Sequence, residues 1–318
     1  MLRSLAPVLA LAAFSLAAAI DDEPIYSTLT NEQTGVITDL DVDPKEKILF
    51  SCAENGEVRA WDMKKNEFLW SVSEGLASVG ISAGDETVGT APPVMVTVTQ
   101  FDAQSGERLA AIGGPSQDTA SCVFMTPDDQ WAWVGTIQGT LWRLTPSDVD
   151  AWSRRAMKNN GITCLEGDSK GKLLAVGGED GTIRFVNPKS ATRDEKKIFE
   201  GHEEHITALS FDAGGKMLAS ASEDGVIRLW TASSGKEKLV IEAGSAIRSV
   251  ELHPKAKWVA GGDENGKVRI WSAKKGELLL TLDTESGTPV WKLIALDKGK
   301  QLAATDGKAV RIWTLPKL

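Results

Sequence analysis

Two histidines and two glutamates stand together at His202-Glu203-Glu204-His205, and these are the side chains best suited to metal chemistry. The helical zinc-protease motif places its two histidines four residues apart on one helix face, with a glutamate as the base. In this chain the histidines are only three residues apart, and the surrounding sequence predicts a loop. The segment therefore does not predict a zinc site, and we expect no metal and no other cofactor.

The chain contains no recognisable set of catalytic residues. It lacks the G-x-S-x-G nucleophile elbow, the P-loop, the dinucleotide fingerprint and the C-x-x-C-H haem motif. The third histidine, His253, precedes Pro254 in a predicted turn and has no motif around it. Because nothing assembles a nucleophile, a base and an orienting group, we expect that the protein is not an enzyme.

A repeated unit of about 42 residues positions these side chains. Its clearest copy runs from Ile206 to Trp230 and reads as strand, Gly-Gly turn, strand, Asp224-Gly225 turn and strand. The last residue of the third strand serves as a marker that recurs every 40 to 44 residues. The markers are Trp61, Phe101, Leu144, Val186, Trp230, Trp271 and Trp313. A fourth, outer strand follows most markers, so the sequence predicts an all-β, seven-bladed β-propeller with four antiparallel strands per blade.

The two ends of the chain are predicted to meet in the last blade. The seventh unit ends at Leu318, five residues after its marker, and has no room for a fourth strand of its own. Residues 25–30 have the spacing of an outer strand, so we expect this N-terminal strand to pair with residues 310–313 and close the ring. The second unit is the least regular, because Pro92-Pro93 is predicted to interrupt its second strand, and its boundaries stay open.

The repeated string resembles the Trp-Asp (WD) repeat family over about 290 residues. The likeness is strongest in the fifth unit, where Gly201-His202 precedes the first strand and Trp230-Thr231 ends the third. Trp-Asp itself occurs once, at Trp61-Asp62. The resemblance implies a non-catalytic scaffold for protein–protein interaction. It also implies a hydrogen-bonded structural network that consists of His202, Ser222, Asp224 and Trp230.

The first strands are expected to line a central channel with the smaller and more polar of their two faces. That face consists of Asp39, Asp41, Cys122, Phe124, Cys164, Glu166, Ala208, Ser210, Ser249, Glu251, Lys292 and Ile294. Asp39 and Lys292 fall on neighbouring blades, so an ion pair across the ring closure is predicted. Cys122 and Cys164 form either a disulfide or two small buried thiols, and the spacing of the walls favours thiols. The alternative function is binding or turnover of a small molecule or metal in this channel.

One rim of the ring is the candidate partner surface. The second residue of the first strand is Thr or Ser in four units but Arg248 and Trp291 in the sixth and seventh, and binding hot spots favour these larger types. The rim is also acidic, so we expect a protein partner with a basic surface. The candidate partner-binding residues are Arg248, Trp291, Glu203, Glu204, His205, Asp263 and Glu264.

The first 19 residues have the layout of a secretory signal peptide. Arg3 precedes an apolar run, and Ala17-Ala18-Ala19 fits the cleavage pattern. The run is too short to cross a bilayer, so we expect no stable membrane insertion. The sequence predicts a leader at residues 1–19 and a single propeller at residues 20–318, exported to the periplasm or secreted.

The overall composition is that of a soluble globular protein, with 42% hydrophobic and 25% charged residues. The net charge is −9, and the sequence has no long run of basic residues. Phosphate backbones would be repelled by such a chain, so nucleic acid is not an expected partner. We expect a monomer.

Overall fold

A computed structural model describes residues 26–29, 35–73, 78–114, 118–145, 148–157, 160–190 and 192–318. The predicted leader, residues 1–19, lies outside these ranges. Within them the chain forms seven separate four-stranded antiparallel sheets and one short 3-10 helix at Asp297–Gly299. The predicted seven-bladed β-propeller is therefore confirmed.

The first four blades follow one another along the chain, each with four strands in sequence order. Before them lies a separate strand, β1 (Tyr26–Leu29). Blade one contains β2 (Ile37–Val42), β3 (Ile48–Ala53), β4 (Glu57–Asp62) and β5 (Glu67–Ser73). Blade two contains β6 (Gly80–Ala83), β7 (Thr87–Ala91), β8 (Thr97–Asp102) and β9 (Arg108–Gly113). Blade three contains β10 (Ala120–Met125), β11 (Ala132–Thr136), β12 (Thr140–Thr145) and β13 (Asp148–Arg155). Blade four contains β14 (Ile162–Gly167), β15 (Leu174–Gly178), β16 (Ile183–Asn187) and β17 (Thr192–Phe199).

The last three blades differ only in how the ring is closed. Blade five contains β18 (Ile206–Phe211), β19 (Met217–Ser222), β20 (Val226–Thr231) and β21 (Lys236–Glu242). Blade six contains β22 (Ile247–Leu252), β23 (Trp258–Asp263), β24 (Lys267–Ser272) and β25 (Leu278–Asp283). Blade seven contains β26 (Lys292–Leu296), β27 (Gln301–Thr305) and β28 (Val310–Thr314), and its outer strand is β1.

The N-terminal strand closes the ring as predicted. β1 pairs antiparallel with β28, with Tyr26 opposite Trp313 and Leu29 opposite Val310. Leu29 is buried, in one cluster with side chains of blades one and seven. Both ends of the described chain are thus held in the same sheet.

The hydrophobic core is divided among the contacts between blades. Seven clusters of buried side chains are present in the described ranges, and each combines residues of two neighbouring blades. Every predicted marker residue is the next-to-last residue of its third strand and packs towards the preceding blade; Trp230, for example, lies in the cluster of blades four and five. Since no blade has a core of its own, neighbours stabilise one another.

The irregularity predicted for blade two lies in a different place. β7 ends at Ala91, and Pro92-Pro93 follows the strand in the turn to β8, so the prolines do not interrupt the strand. Proline cannot donate a ladder hydrogen bond, and in a turn none is required of it. The turn leaves Val94 and Met95 about half exposed.

Candidate functional site

The first strands surround a central cavity of about 570 Å³. Its wall includes many of the predicted channel residues, among them Asp39, Asp41, Glu166, Glu251 and Lys292. Ser210 and Ser249 were also expected there, but both are almost fully buried because their hydroxyls bond to neighbouring blades. The alternation of side chains along the first strands therefore predicts most of the residues that line the cavity. It does not predict which of them contact a neighbouring blade instead.

Lys292 lies in this wall among four carboxylates. Its ammonium lies 3.4 Å from the Asp39 carboxylate, which confirms the predicted ion pair across the closure. Burial alone would lower the pKa of Lys292, but Asp39, Glu166, Asp41 and Glu251 together raise it above its ordinary value. The lysine therefore stays positively charged and neutralises part of the negative charge of the cavity.

The next-to-last residue of the first strand usually bonds to the following blade. The Asp41 carboxylate accepts from the Ala83 N–H at 2.8 Å, and the Glu251 carboxylate accepts from the Ala295 N–H at 3.1 Å. Serine hydroxyls in the same position of blades two and five accept from the next blade in the same way. These polar groups therefore fasten neighbouring blades along the channel.

Glu166 occupies the same position in blade four but makes no such bond. In the described part of the chain, no N–H or O–H donor lies within hydrogen-bond distance of its carboxylate. Burial raises the pKa of Glu166 to about 8, and the acids Glu251, Asp41 and Asp39 add to the effect although Lys292 opposes it. Burial likewise raises the pKa of Glu251 to about 7 and that of Asp41 to about 6. The carboxyl group of Glu166 therefore carries a proton near neutral pH, and that of Glu251 carries one in part of the molecules.

The cysteines are thiols and not disulfide partners. Cys52 and Cys122 are buried, Cys164 is partly buried, and all three are free. Burial raises the pKa of Cys52 and of Cys164 to about 12, and it also raises the pKa of Cys122. Because the thiolate is the reactive form, these side chains behave as small apolar groups.

The structural network of blade five is present, but its serine is Ser220 and not Ser222. His202 Nδ1 lies 2.9 Å from the Asp224 carboxylate, and His202 Nε2 lies 2.8 Å from the Ser220 hydroxyl. The Trp230 indole N–H donates to the same hydroxyl at 2.8 Å. The Ser222 hydroxyl instead donates to the Glu204 carbonyl and accepts from the Asp224 N–H. The two serines share one face of β19, but the strand register places Ser220 two residues from Leu218, the partner of Trp230, and Ser222 four residues from it.

The proton positions of this network follow from its donors. An indole N–H can only donate, so the Ser220 hydroxyl accepts from Trp230 and turns its own hydrogen to His202 Nε2. His202 Nδ1 then carries the ring proton and donates it to Asp224. Burial lowers the pKa of His202, although Asp224 opposes this, so the imidazole is neutral near pH 7. His202 is fully occupied by these bonds.

The candidate partner residues lie on the face of the ring that carries turns such as Asn55-Gly56 and Asp224-Gly225, which we call the Asx-Gly face. Among them, Arg248, Trp291 and His205 line the mouth of the cavity on that face. A β-bulge displaces the second residue of the first strand in blade six, and the same bulge recurs in blades one, three, four and five. Bulges redirect side chains. The sequence signal missed this feature, because nothing in residue type marks a bulge there.

Arg248 and Trp291 differ in how they are held. The Arg248 guanidinium pairs with the Glu223 carboxylate at 2.7 Å, and both side chains are about one third exposed. Trp291 is 39% exposed, and the neighbouring Val36 is 37% exposed. A Cβ atom on Gly307 would lie 2.9 Å from Val36 and 3.4 Å from the Trp291 ring, so these two side chains flank that glycine. The mouth thus combines an apolar patch with a paired charge.

The acidic candidates divide into exposed and buried residues. Glu203, Glu204 and Glu264 are exposed on the Asx-Gly face. Asp263, in contrast, is 1% exposed. Its carboxylate pairs with Arg269 at 2.9 Å and accepts from two backbone N–H groups of its own turn. The expectation that Asp263 contacts a partner is therefore wrong, because its turn already consumes the carboxylate.

Two other kinds of feature are absent from the described residues. No group of three or more His, Cys, Asp or Glu side chains there could hold a metal ion. Nor does that part of the chain contain a helix long and apolar enough to cross a membrane.

Comparison with known families gives two matches. Residues 117–318 match the family described as nucleolar protein 10-like, N-terminal domain, a β-propeller. Residues 23–62 match the WD domain, G-beta repeat. No curated protein matches the chain. The two matched segments together include β1, the first three strands of blade one and everything from blade three onwards.

Proposed function

Because the chain belongs to the nucleolar protein 10-like N-terminal domain family of WD-repeat β-propellers, we propose that it is a non-catalytic scaffold that binds a protein partner on its Asx-Gly face. One observation carries the proposal: Arg248 and Trp291 stand partly exposed at the cavity mouth, where four other blades have Thr or Ser. Tryptophan and arginine are the residue types most enriched among binding hot spots.

Charge favours a basic partner. The exposed carboxylates of Glu203, Glu204 and Glu264 stand beside the mouth, and Glu223 is only partly engaged by Arg248. Such a field attracts positively charged surfaces and raises the rate of their association. The partner we propose therefore combines basic side chains with an apolar group that packs on Trp291 and Val36.

A site-specific photocrosslink tests this proposal. In the variant Trp291→p-benzoylphenylalanine, expressed in the native host, we expect a discrete crosslinked product that weakens as salt is increased. The matched control is Phe68→p-benzoylphenylalanine, because Phe68 is a similarly exposed aromatic residue on an outer strand. Equal crosslinking at both positions, or none at Trp291, would contradict the proposal.

A pair of substitutions separates binding from folding. Arg248→Ala with Trp291→Ala should abolish capture of the crosslinked partner, and Phe68→Ala with Lys238→Ala should leave it unchanged. Both double variants remove one aromatic residue and one cation, and all four positions are at least partly exposed. Unchanged capture by the first pair would remove these residues from the binding surface.

We further propose that the protein is exported and that the mature chain begins near Ile20. The family name refers to the nucleolus, whereas residues 1–19 of this chain have the composition of a signal peptide. Mass spectrometry of the intact protein from its native host tests the proposal. A mature mass that begins near Ile20 is expected, and retention of residues 1–19 would overturn it.

A further inference from the structure

The face opposite the Asx-Gly face is rich in exposed lysines, and we call it the lysine face. It consists of the turns between first and second strands and the turns between third and fourth strands. The exposed lysines on or beside the first kind of turn are Lys45, Lys47, Lys170, Lys172, Lys216, Lys255, Lys257, Lys298 and Lys300. Those on or beside the second kind, together with the C-terminal tail, are Lys64, Lys65, Lys189, Lys236, Lys274, Lys275 and Lys317. Blades one and four to seven supply all of them.

Several acids of this face are turned inward, so the lysines form its outermost layer. Asp43, Asp168 and Asp212 each begin a turn, and each is at most 9% exposed. One oxygen of Asp168, for example, accepts from the N–H groups of Lys172 and Leu173 at 2.6 and 2.7 Å. The other two make the same pair of bonds in their own turns. Their carboxylates therefore fold the turns and leave the lysine ammonium groups outside.

Few of the lysines have an acidic partner. Among the described residues of this face, the lysines paired with a carboxylate are Lys45, Lys65, Lys275 and Lys300. All four pairs are substantially exposed, so the interaction within each pair is weak. Blades five to seven therefore retain an excess of positive charge on this face, with nine lysines against Asp212, Glu237, Glu277 and Asp297 among the described residues, although the whole chain has a net charge of −9.

The composition of the lysine face does not suit a protein partner. The large exposed hydrophobic side chains of the described residues lie on outer strands or on the Asx-Gly face, and none lies in the turns of the lysine face. Lysine is depleted in protein interfaces, which rely on buried aromatic, methionine and arginine side chains. Exposed lysines without such anchors instead bind surfaces that carry a high density of negative charge.

The arrangement of the lysines favours a planar ligand over a linear one. The inner turns lie near the channel and the outer turns lie at the rim, so the lysines cover a broad area rather than a track. The acidic Asx-Gly face lies one strand length away, about 15–20 Å, and salt screens charges beyond about 8 Å. A flat anionic surface that meets the lysine face would therefore experience little repulsion from the rest of the molecule.

We propose that the lysine face docks on the surface of an anionic phospholipid bilayer. Each lysine close to such a surface contributes a favourable interaction with the lipid phosphates. Contact is electrostatic and peripheral, because this face offers no large apolar side chain to insert. Blades two and three carry acids in the corresponding turns, such as Asp85, Glu86, Asp128 and Asp129. The ring therefore tilts, with blades five, six and seven nearest the lipid.

Sedimentation with vesicles tests the proposal. We expect the full chain to bind vesicles of phosphatidylcholine mixed with phosphatidylglycerol at about 0.05 M salt and to be released at about 0.5 M salt. The variant with Lys255, Lys257, Lys298 and Lys300 all changed to Ser should bind at least about a hundredfold more weakly, since each lysine close to the lipid contributes about fivefold. Vesicles of phosphatidylcholine alone should bind neither protein.

The matched control changes the same amount of charge elsewhere. Arg155, Lys238, Lys267 and Lys308 lie outside the lysine face, and their change to Ser should leave vesicle binding within about twofold of wild type. Equal loss in both variants, or binding that salt does not weaken, would overturn the proposal. Binding of a DNA duplex without binding of anionic vesicles would also overturn it and would identify nucleic acid as the polyanion. Crosslinking at Trp291 should be unaffected by the four lysine changes, so the two proposals can fail separately.

Discussion

Ser220 connects the two halves of the hydrogen-bonded network in blade five. The sequence identifies His202, Asp224 and Trp230 as its members, because their types and positions match the repeat. It does not separate Ser220 from Ser222, since the two have the same side chain and the same face of β19. The register of β19 against β20 decides which hydroxyl meets the indole, because it places Ser220 nearer to Trp230 than Ser222, and this register is a property of the folded blade.

Ser220→Ala should lower the free energy of unfolding by about 1–3 kcal/mol, because two buried ring nitrogens lose a partner. The Trp230 indole N–H should also exchange faster with solvent. Ser222→Ala is the comparison, since it removes a hydroxyl two residues away that does not contact Trp230. Denaturation in urea and hydrogen exchange of the indole measure the two effects. Equal indole exchange in both variants would contradict the assignment.

Glu166 is expected to make stability depend on pH. Its pKa is about 8 in the folded protein and about 4.5 in an exposed glutamate, so the folded state binds the proton more tightly. The free energy of unfolding should therefore fall as pH rises from about 4.5 to about 8. Glu166→Gln removes this loss, and at about pH 9 it should raise the free energy of unfolding by at least about 1 kcal/mol. The facing groups Asp39, Asp41, Glu251 and Lys292 remain in place. If Glu166→Gln changed the free energy of unfolding by the same amount at about pH 9 as at about pH 4, the carboxylate would be solvated and the prediction would be wrong.

The strands themselves are largely predictable from the sequence. Each Asx-Gly pair requires positive φ at its glycine, and Gly225 (φ 77°) and Gly266 (φ 82°) have it. The position of each third strand follows directly from this turn. The bulge that carries Arg248 and the end of β7 before Pro92 do not follow, because both depend on how a strand fits its neighbour.

Loss of the closing strand should destabilise the whole ring. A chain that lacks residues 1–32 loses β1 and leaves the edge of β28 open, whereas a chain that lacks residues 1–22 keeps the strand. Urea denaturation should give a much lower midpoint for the first deletion and an unchanged midpoint for the second. A point substitution supports the comparison: Leu29→Ala should cost about 2–5 kcal/mol, because Leu29 is buried between blades. Equal midpoints for the two deletions would contradict closure by β1.

At the scale of the whole molecule, properties arise that no single repeat contains. The lysines of the lysine face occur singly or in pairs in separate turns, so no long run of basic residues marks them. Propeller closure brings two to four lysines from each of five blades to the same side. The sequence therefore predicts the ring and the acidic rim, but a basic face becomes visible only once the turns are placed.

Because the hydrophobic core lies between blades and not within them, we expect the whole ring to unfold in a single step. Leu49→Ala affects the contact of blades seven and one, and Leu218→Ala affects that of blades four and five. Each should cost about 2–5 kcal/mol. Each should also lower one shared transition seen by both circular dichroism and tryptophan fluorescence. Separate transitions in either variant would mean that blades unfold independently.

The pairing of β1 with β28 also sets the order of events during synthesis. Leu29 and Val310, which lie opposite one another in the last blade, are 281 residues apart. At roughly 5–20 residues per second, the ribosome needs about 15–60 s to make the intervening chain. Throughout that time the first strand has no partner and the ring cannot close. A nascent chain of this design stays available to a translocation machinery that accepts only unfolded polypeptide, and it becomes resistant to proteases only after its final strand has emerged.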